Sequence, residues 1–127
     1  MTEDEANNLY DMTSFTDARL IYRASRDGFT AAVFHNYSAV PNTVTVVKSN
    51  KNYVFGGYTS LLWNNSNGFY SDPTAFIFSL RRNGTINNVQ LRSGGTANDP
   101  TGQYSIRIIS SWKANFGVGN NLYICDQ

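Results

Sequence analysis

The 127-residue chain carries one histidine, His35, and one cysteine, Cys125. These are the side chains best suited to acid–base or thiol chemistry near neutral pH. A catalytic nucleophile needs a base within hydrogen-bond reach and an acid to orient that base. His35 stands beside Phe34 in GFTAAVFHNY, on the apolar-aromatic face of an expected short helix, and no partner lies near it in sequence. A packed structural histidine is the expectation, and no G-x-S-x-G elbow occurs. His35 and Cys125 lie far apart and match no zinc or haem spacing. Asp27 and Asp72 are isolated turn acids, without an EF-hand loop or a second carboxylate in a paired motif. Cys125 alternates with its neighbours in LYICDQ and reads as a small buried hydrophobe. No metal and no cofactor are expected.

Clustered glycines raise the question of a phosphate loop. Phe116-Gly117-Val118-Gly119 lacks the third glycine of the dinucleotide fingerprint and precedes an expected strand, not a helix. Phe55-Gly56-Gly57-Tyr58-Thr59 lacks the lysine of a P-loop. Both read as strand kinks and turns. Arg19, Arg23, Arg26, Arg81 and Arg82 could form a basic patch, but the net charge of +1 argues against a nucleic-acid partner. Tyr58, Trp63, Phe69, Tyr70 and Trp112 are the aromatics that a sugar-stacking surface would use. The competing expectation is that they fill a core.

A fold must position these residues. Hydrophobic residues make up 41% of the chain and charged residues 15%, a composition for packing rather than disorder. The length suits one domain. Residues 1–14, beginning MTEDEANN, read as a flexible acidic tail, and 15–127 as a single domain. RLIYRAS, 19–25, is a candidate strand; residues 26–28 are turn-like; 28–37 carry helical spacing that ends between Ser38 and Pro41. NTVTVVKS, 42–49, alternates, and YVFGGYTS, 53–60, returns as its hairpin partner. Within that partner, Tyr53, Phe55 and Gly57 share one face and Val54, Gly56 and Tyr58 the other, so each glycine clears space on its own face.

Residues 63–73 read as a loop, and 74–82 as a strand with Phe76 and Phe78 on one face. Asn83-Gly84 is a type I′ turn signal leading into TINNVQL, 85–91. Residues 92–102 read as a surface loop, 103–109 as a strand, 116–121 as a turn and 122–127 as a last strand. The total is at least six strands and one helix, a mainly β domain of the α+β kind.

No apolar run approaches the ~20 residues of a membrane helix. The polar, acidic start is unlike a secretory signal, and a lone cysteine forms no internal disulfide, so a reducing, cytoplasmic setting is expected. Sixteen asparagines create three glycosylation sequons, at Asn36, Asn64 and Asn83, which read as chance in that setting.

Five stretches stand in a telling order: LIYRASRDGFTAAVFH, TVTVVKS, YVFGGYTS, LWNNSNGFYSDPTAFIFSL and FGVGNNLYICD. In order and spacing, over residues 15–126, the chain resembles the TLDc domain family of oxidation-resistance, protist and BTB-linked proteins. The signature positions are Arg26, Asp27, Gly28, Phe29, His35, Phe55, Gly56, Gly57, Tyr58, Thr59, Trp63, Asp72, Phe76, Phe78, Phe116, Gly117 and Gly119.

The resemblance implies a two-sheet antiparallel β-sandwich with short helices. It also implies a non-catalytic protein-interaction role, protection against oxidative stress and the vacuolar proton-pumping ATPase as a partner. Relatives carry a cysteine and a Gly-Pro between FH and TVT, where this chain has Tyr37 and Pro41-Asn42, so a redox role for that cysteine does not carry over. Family domains run on to a further strand, which this chain, ending at Gln127, is expected to lack, as a short domain or a piece of a longer one. Two alternatives stand beside this reading. One is a small-ligand or carbohydrate module using Trp63, Tyr58 and the Gly56-Gly57 bend. The other is a peroxide-handling or hydrolytic enzyme using His35 or Cys125.

Overall fold

The computed structural model describes residues 1–64, 67–92, 102–109, 111–117 and 122–125, with only the backbone at 123 and 125. Three helices come first: α1 (Glu3–Thr13), α2 (Ala24–Asp27) and α3 (Ala31–Tyr37). The strands follow as β1 (Thr43–Lys48), β2 (Val54–Thr59), β3 (Gly68–Tyr70) and β4 (Phe76–Arg82), then β5 (Thr85–Arg92), β6 (Ile106–Ile108), β7 (Trp112–Phe116) and β8 (Leu122–Cys125). They form two four-stranded antiparallel sheets, in the orders β1-β2-β4-β5 and β3-β6-β7-β8. The architecture is the mainly β class read from the residues, in the two-sheet arrangement that the family resemblance implies.

The hairpins form where local chemistry asks for them. β1 meets β2 in continuous register from Thr43↔Thr59 to Lys48↔Val54. Asn83 and Gly84 both adopt positive φ, 49° and 81°, as a type I′ turn requires, and β4 returns as β5. The first sheet has work for both its faces. Val54, Tyr58, Phe76, Phe78 and Leu80 form one buried cluster with Leu9 of α1. On the opposite side Ile77 packs against a second cluster of Phe34, Trp63, Ala75, Ile106, Ile108, Ala114 and Phe116, which joins the sheets.

Four expectations change. The segment expected as a flexible tail contains an 11-residue helix. Thr2 and Glu5 form a capping box, and Leu9 and Glu5 are buried on the first sheet, so a polar sequence still earns a docked helix. Residues 19–25 are not a strand: Leu20 is exposed, and the Asp27 carboxylate accepts the Arg23 N–H at 2.9 Å, closing the single turn of α2. The expected loop at 63–73 contains β3, and β7 was not anticipated at all. WKANF alternates apolar and polar residues as a half-buried strand does, yet Lys113 and Asn115 are buried as well, so both faces of β7 are covered. Residues 93–101 and 118–121, expected as loop and turn, lie outside the described residues, as do Gly119 and the Cys125 side chain.

Candidate functional site

The two central glycines mark where the layers close. A Cβ on Gly57 would lie 2.5 Å from the Phe116 ring, across the gap between the sheets. A Cβ on Gly56 would lie 1.8 Å from the Thr45 carbonyl oxygen and 2.8 Å from the Phe78 ring, on the opposite face. Each glycine therefore admits a close neighbour on its own side, as the alternation of YVFGGYTS predicts. On both sides the space beyond the glycine is filled by protein.

Trp63 is fully buried between the sheets, edge-on to Phe116 at 5.5 Å between centroids. Its indole N–H donates to the Thr43 hydroxyl at 3.2 Å, and its backbone N–H donates to the Ser38 carbonyl at 3.2 Å. Its carbonyl lies 3.1 Å from His35 Nδ1. The other ring nitrogen, Nε2, lies 3.0 Å from the Ile109 carbonyl and 2.6 Å from the Trp112 carbonyl. His35 is 2% exposed, so it ties α3 to the loop before β3 and to the β6–β7 turn. Its partners are main-chain carbonyls, not a nucleophile and an orienting acid, which is the geometry of a strut.

Asp72 is the second knot. Its Oδ2 accepts the Thr59 hydroxyl at 2.6 Å and the Ser60 N–H at 2.7 Å. Its Oδ1 accepts the Thr74 N–H at 3.0 Å and the Thr74 hydroxyl at 2.6 Å. Burial pushes this carboxyl up, but the bonds from Thr59, Thr74 and Ser60 outweigh burial and leave it below its usual range. The end of β2 and the start of β4 are thereby fastened through one side chain. Tyr58 is pushed up by burial, with the Asp72 charge adding to the effect and a hydrogen bond from Thr74 opposing it.

Arg26, Asp27, Gly28 and Phe29 sit apart from both knots, at the surface, in the last residues of α2 and the turn that follows. Arg26 Nε and Nη2 donate to the two Asp27 oxygens at 2.7 and 2.8 Å. That hydrogen bond, with the Arg23 N–H, lowers Asp27 to about 2. The Tyr22 hydroxyl donates to the Gly28 carbonyl at 2.7 Å, and Phe29 is exposed. Phe76 and Phe78 lie in the α1-side cluster with Tyr58, and Phe55 of β2 is half-buried. The Gly117 N–H donates to the Ser105 carbonyl at 2.9 Å, closing β6 onto β7.

The structure thus gathers most signature residues into the interior. A scan against family models matches the TLDc domain over residues 1–123. The chain belongs to the TLDc domain family. Among curated proteins, none matches the chain. The TLDc match begins at residue 1 and so takes in α1, which the signature stretches do not reach.

Two sequence readings of this TLDc domain lose residues they relied on: the sugar platform loses Trp63 and Tyr58, and the enzyme reading loses His35, while the Cys125 side chain lies outside the described residues. A sugar platform needs exposed rings, whereas Trp63 is 0% and Tyr58 7% exposed, and the Gly56-Gly57 bend is filled by protein. His35 offers no exposed nitrogen, and no group of three or more His, Cys, Asp or Glu side chains could hold a metal among the described residues. No helix of the described residues is long and apolar enough to cross a membrane. Two features went unread in the sequence. Glu5 and Arg81 pair across 76 positions, and only the T-x-x-E spacing at Thr2 hinted that Glu5 belonged to a helix start. Arg107 gathers Phe69 and Trp112 around it, and no sequence spacing marks that cluster.

Proposed function

We propose that this TLDc domain is a non-catalytic protein-interaction module that acts in the cytoplasm, in the response to oxidative stress, by binding the vacuolar proton-pumping ATPase. The observation that supports this reading is how its signature residues are used. His35, Trp63, Asp72, Gly56 and Gly57 are all committed to internal contacts. A domain whose most specific residues build its frame offers its surface to partners. The resemblance to oxidation-resistance proteins supplies the identity of the partner.

The test is a pull-down of purified proton-pump subunits with the folded domain. Retention of at least one subunit is expected. A domain with an intact thermal transition that retains none of them overturns the choice of partner.

A further inference from the structure

The outer face of the second sheet carries an arginine that no acid meets among the described residues. Ile106 and Ile108 of β6 point into the core, so Arg107 between them points outward. Its cross-strand partner on β3 is Phe69. The guanidinium carbon lies 4.9 Å from the Phe69 ring centroid and 5.9 Å from that of Trp112. Tyr104 stands edge-on to Phe69 at 5.0 Å. Phe69 and Tyr104 are 37% and 38% exposed, and Arg107 and Trp112 are half-buried.

Two other arginines are settled by acids. Arg26 forks onto Asp27 and Arg81 forks onto Glu5. Among the described residues no carboxylate pairs with Arg107. The two ring faces hold the guanidinium by cation–π attraction, which leaves its N–H fork without a carboxylate among the described residues. A planar fork of this kind fits a carboxylate with two parallel hydrogen bonds. The rings around it supply apolar contact to whatever flanks that carboxylate. Tyr, Trp and Arg are also the residues that dominate binding energy where proteins meet. A single guanidinium does not suit a nucleic-acid backbone, whose binding recruits many cations.

We propose that Phe69, Tyr104, Arg107 and Trp112 form a docking site for a protein segment that presents a Glu or Asp side chain between apolar residues. The proposal rests on the interaction reading above and gives it a place on the molecule.

The probe is a synthetic eight-residue peptide alternating Leu and Glu, with the Leu/Gln peptide as its uncharged counterpart and a neutral oligosaccharide as a third ligand. Each is titrated into the isotope-labelled domain while the Arg107 Nε–H and Trp112 Nε1–H resonances are followed. Saturable shifts of both are expected with the Glu peptide alone. Arg107→Gln weakens that binding at least about tenfold, as does Phe69→Ser, the size expected of a central interface contact. Arg107→Lys keeps the charge but loses the fork, and falls between wild type and Arg107→Gln. Both replaced side chains lie on the outer face, and circular dichroism checks that each variant is folded. If a variant is not folded, the wild-type titration decides alone.

Three results overturn the proposal: no shift with the Glu peptide up to about 1 mM, the weakest affinity that still counts as specific docking; equal binding of the Gln peptide; or preference for the oligosaccharide. The titration contains no pump subunit. A failed pull-down with a positive titration removes the ATPase and keeps the site, and the reverse removes the site and keeps the ATPase.

Discussion

Glu5 and Asp72 are both buried carboxylates, 3% and 2% exposed, one under α1 and the other where β2 meets β4. Glu5 is settled by charge. Its oxygens take the Nε and Nη2 of Arg81 at 3.0 and 2.5 Å, and the Arg81 bond is the main cause that lowers it to about 2. Asp72 is settled by neutral donors, two hydroxyls and two backbone N–H groups, with no cation in the set. The difference teaches what each join is for. Asp72 organises backbone: without it, several buried donors lose their only described acceptor. Glu5 joins two elements that each keep internal bonds of their own, so that join can open without undoing either sheet.

Removing the acceptor at the backbone knot does more damage than removing the charge contact at Glu5. Asp72→Ala strands the Thr59 hydroxyl and the Ser60 and Thr74 N–H groups, and is expected to cost about 3 kcal/mol or more. Asp72→Asn keeps the volume but turns one acceptor into a donor, so it falls between. Urea unfolding measures both, and a loss for Asp72→Ala smaller than that for Glu5→Gln would reverse the ranking.

Glu5→Gln sharpens the other side. Glutamine still serves the capping box with Thr2, so the change isolates the charge contact to Arg81. A loss of about 1–2 kcal/mol at neutral pH is expected. The same variant tests the sign of the pH dependence. The folded Glu5 lies near 2 against an ordinary 4.5, so its contribution is complete above 4.5 and disappears as pH falls toward 2. Wild type therefore loses more stability than Glu5→Gln across that window, while the lowered Asp72 and Asp27 keep both proteins acid-sensitive. Parallel acid profiles would show that the Arg81 contact carries no net stability.

The smallest expected effect is Thr2→Ala, which removes the helix cap at about 1 kcal/mol. Its coupling to Glu5→Gln reads how far the capping box and the ion pair act as one unit. Strict additivity would separate them.

How much of this was legible depends on distance along the chain. The β1–β2 and β4–β5 hairpins announce themselves through period-two alternation and through Asn83-Gly84, because both signals are local. The helix at 31–37 shows in its spacing, and the capping box of α1 was written in Thr2 and Glu5 but masked by polar surroundings. The alternation of WKANF is a local strand signal too, but the burial of Lys113 and Asn115 on its polar face is a matter of tertiary context. The same holds for the candidate sites: the signature residues could be named, but whether Trp63 faced solvent or core could not be read from a loop-like sequence.

The mainly β TLDc character is legible in the residues alone, and so is the fact that Gly56 and Gly57 clear space on opposite faces, since alternation along one strand dictates sidedness. What fills those spaces, the Thr45 carbonyl and Phe78 on one side and Phe116 on the other, follows from how the sheets pack. Packing also brings Glu5 to Arg81, His35 to three carbonyls and Arg107 to Phe69 and Trp112. Each of those contacts joins elements far apart in the chain, and such pairings are set by how sheets and helices pack, which no local pattern encodes.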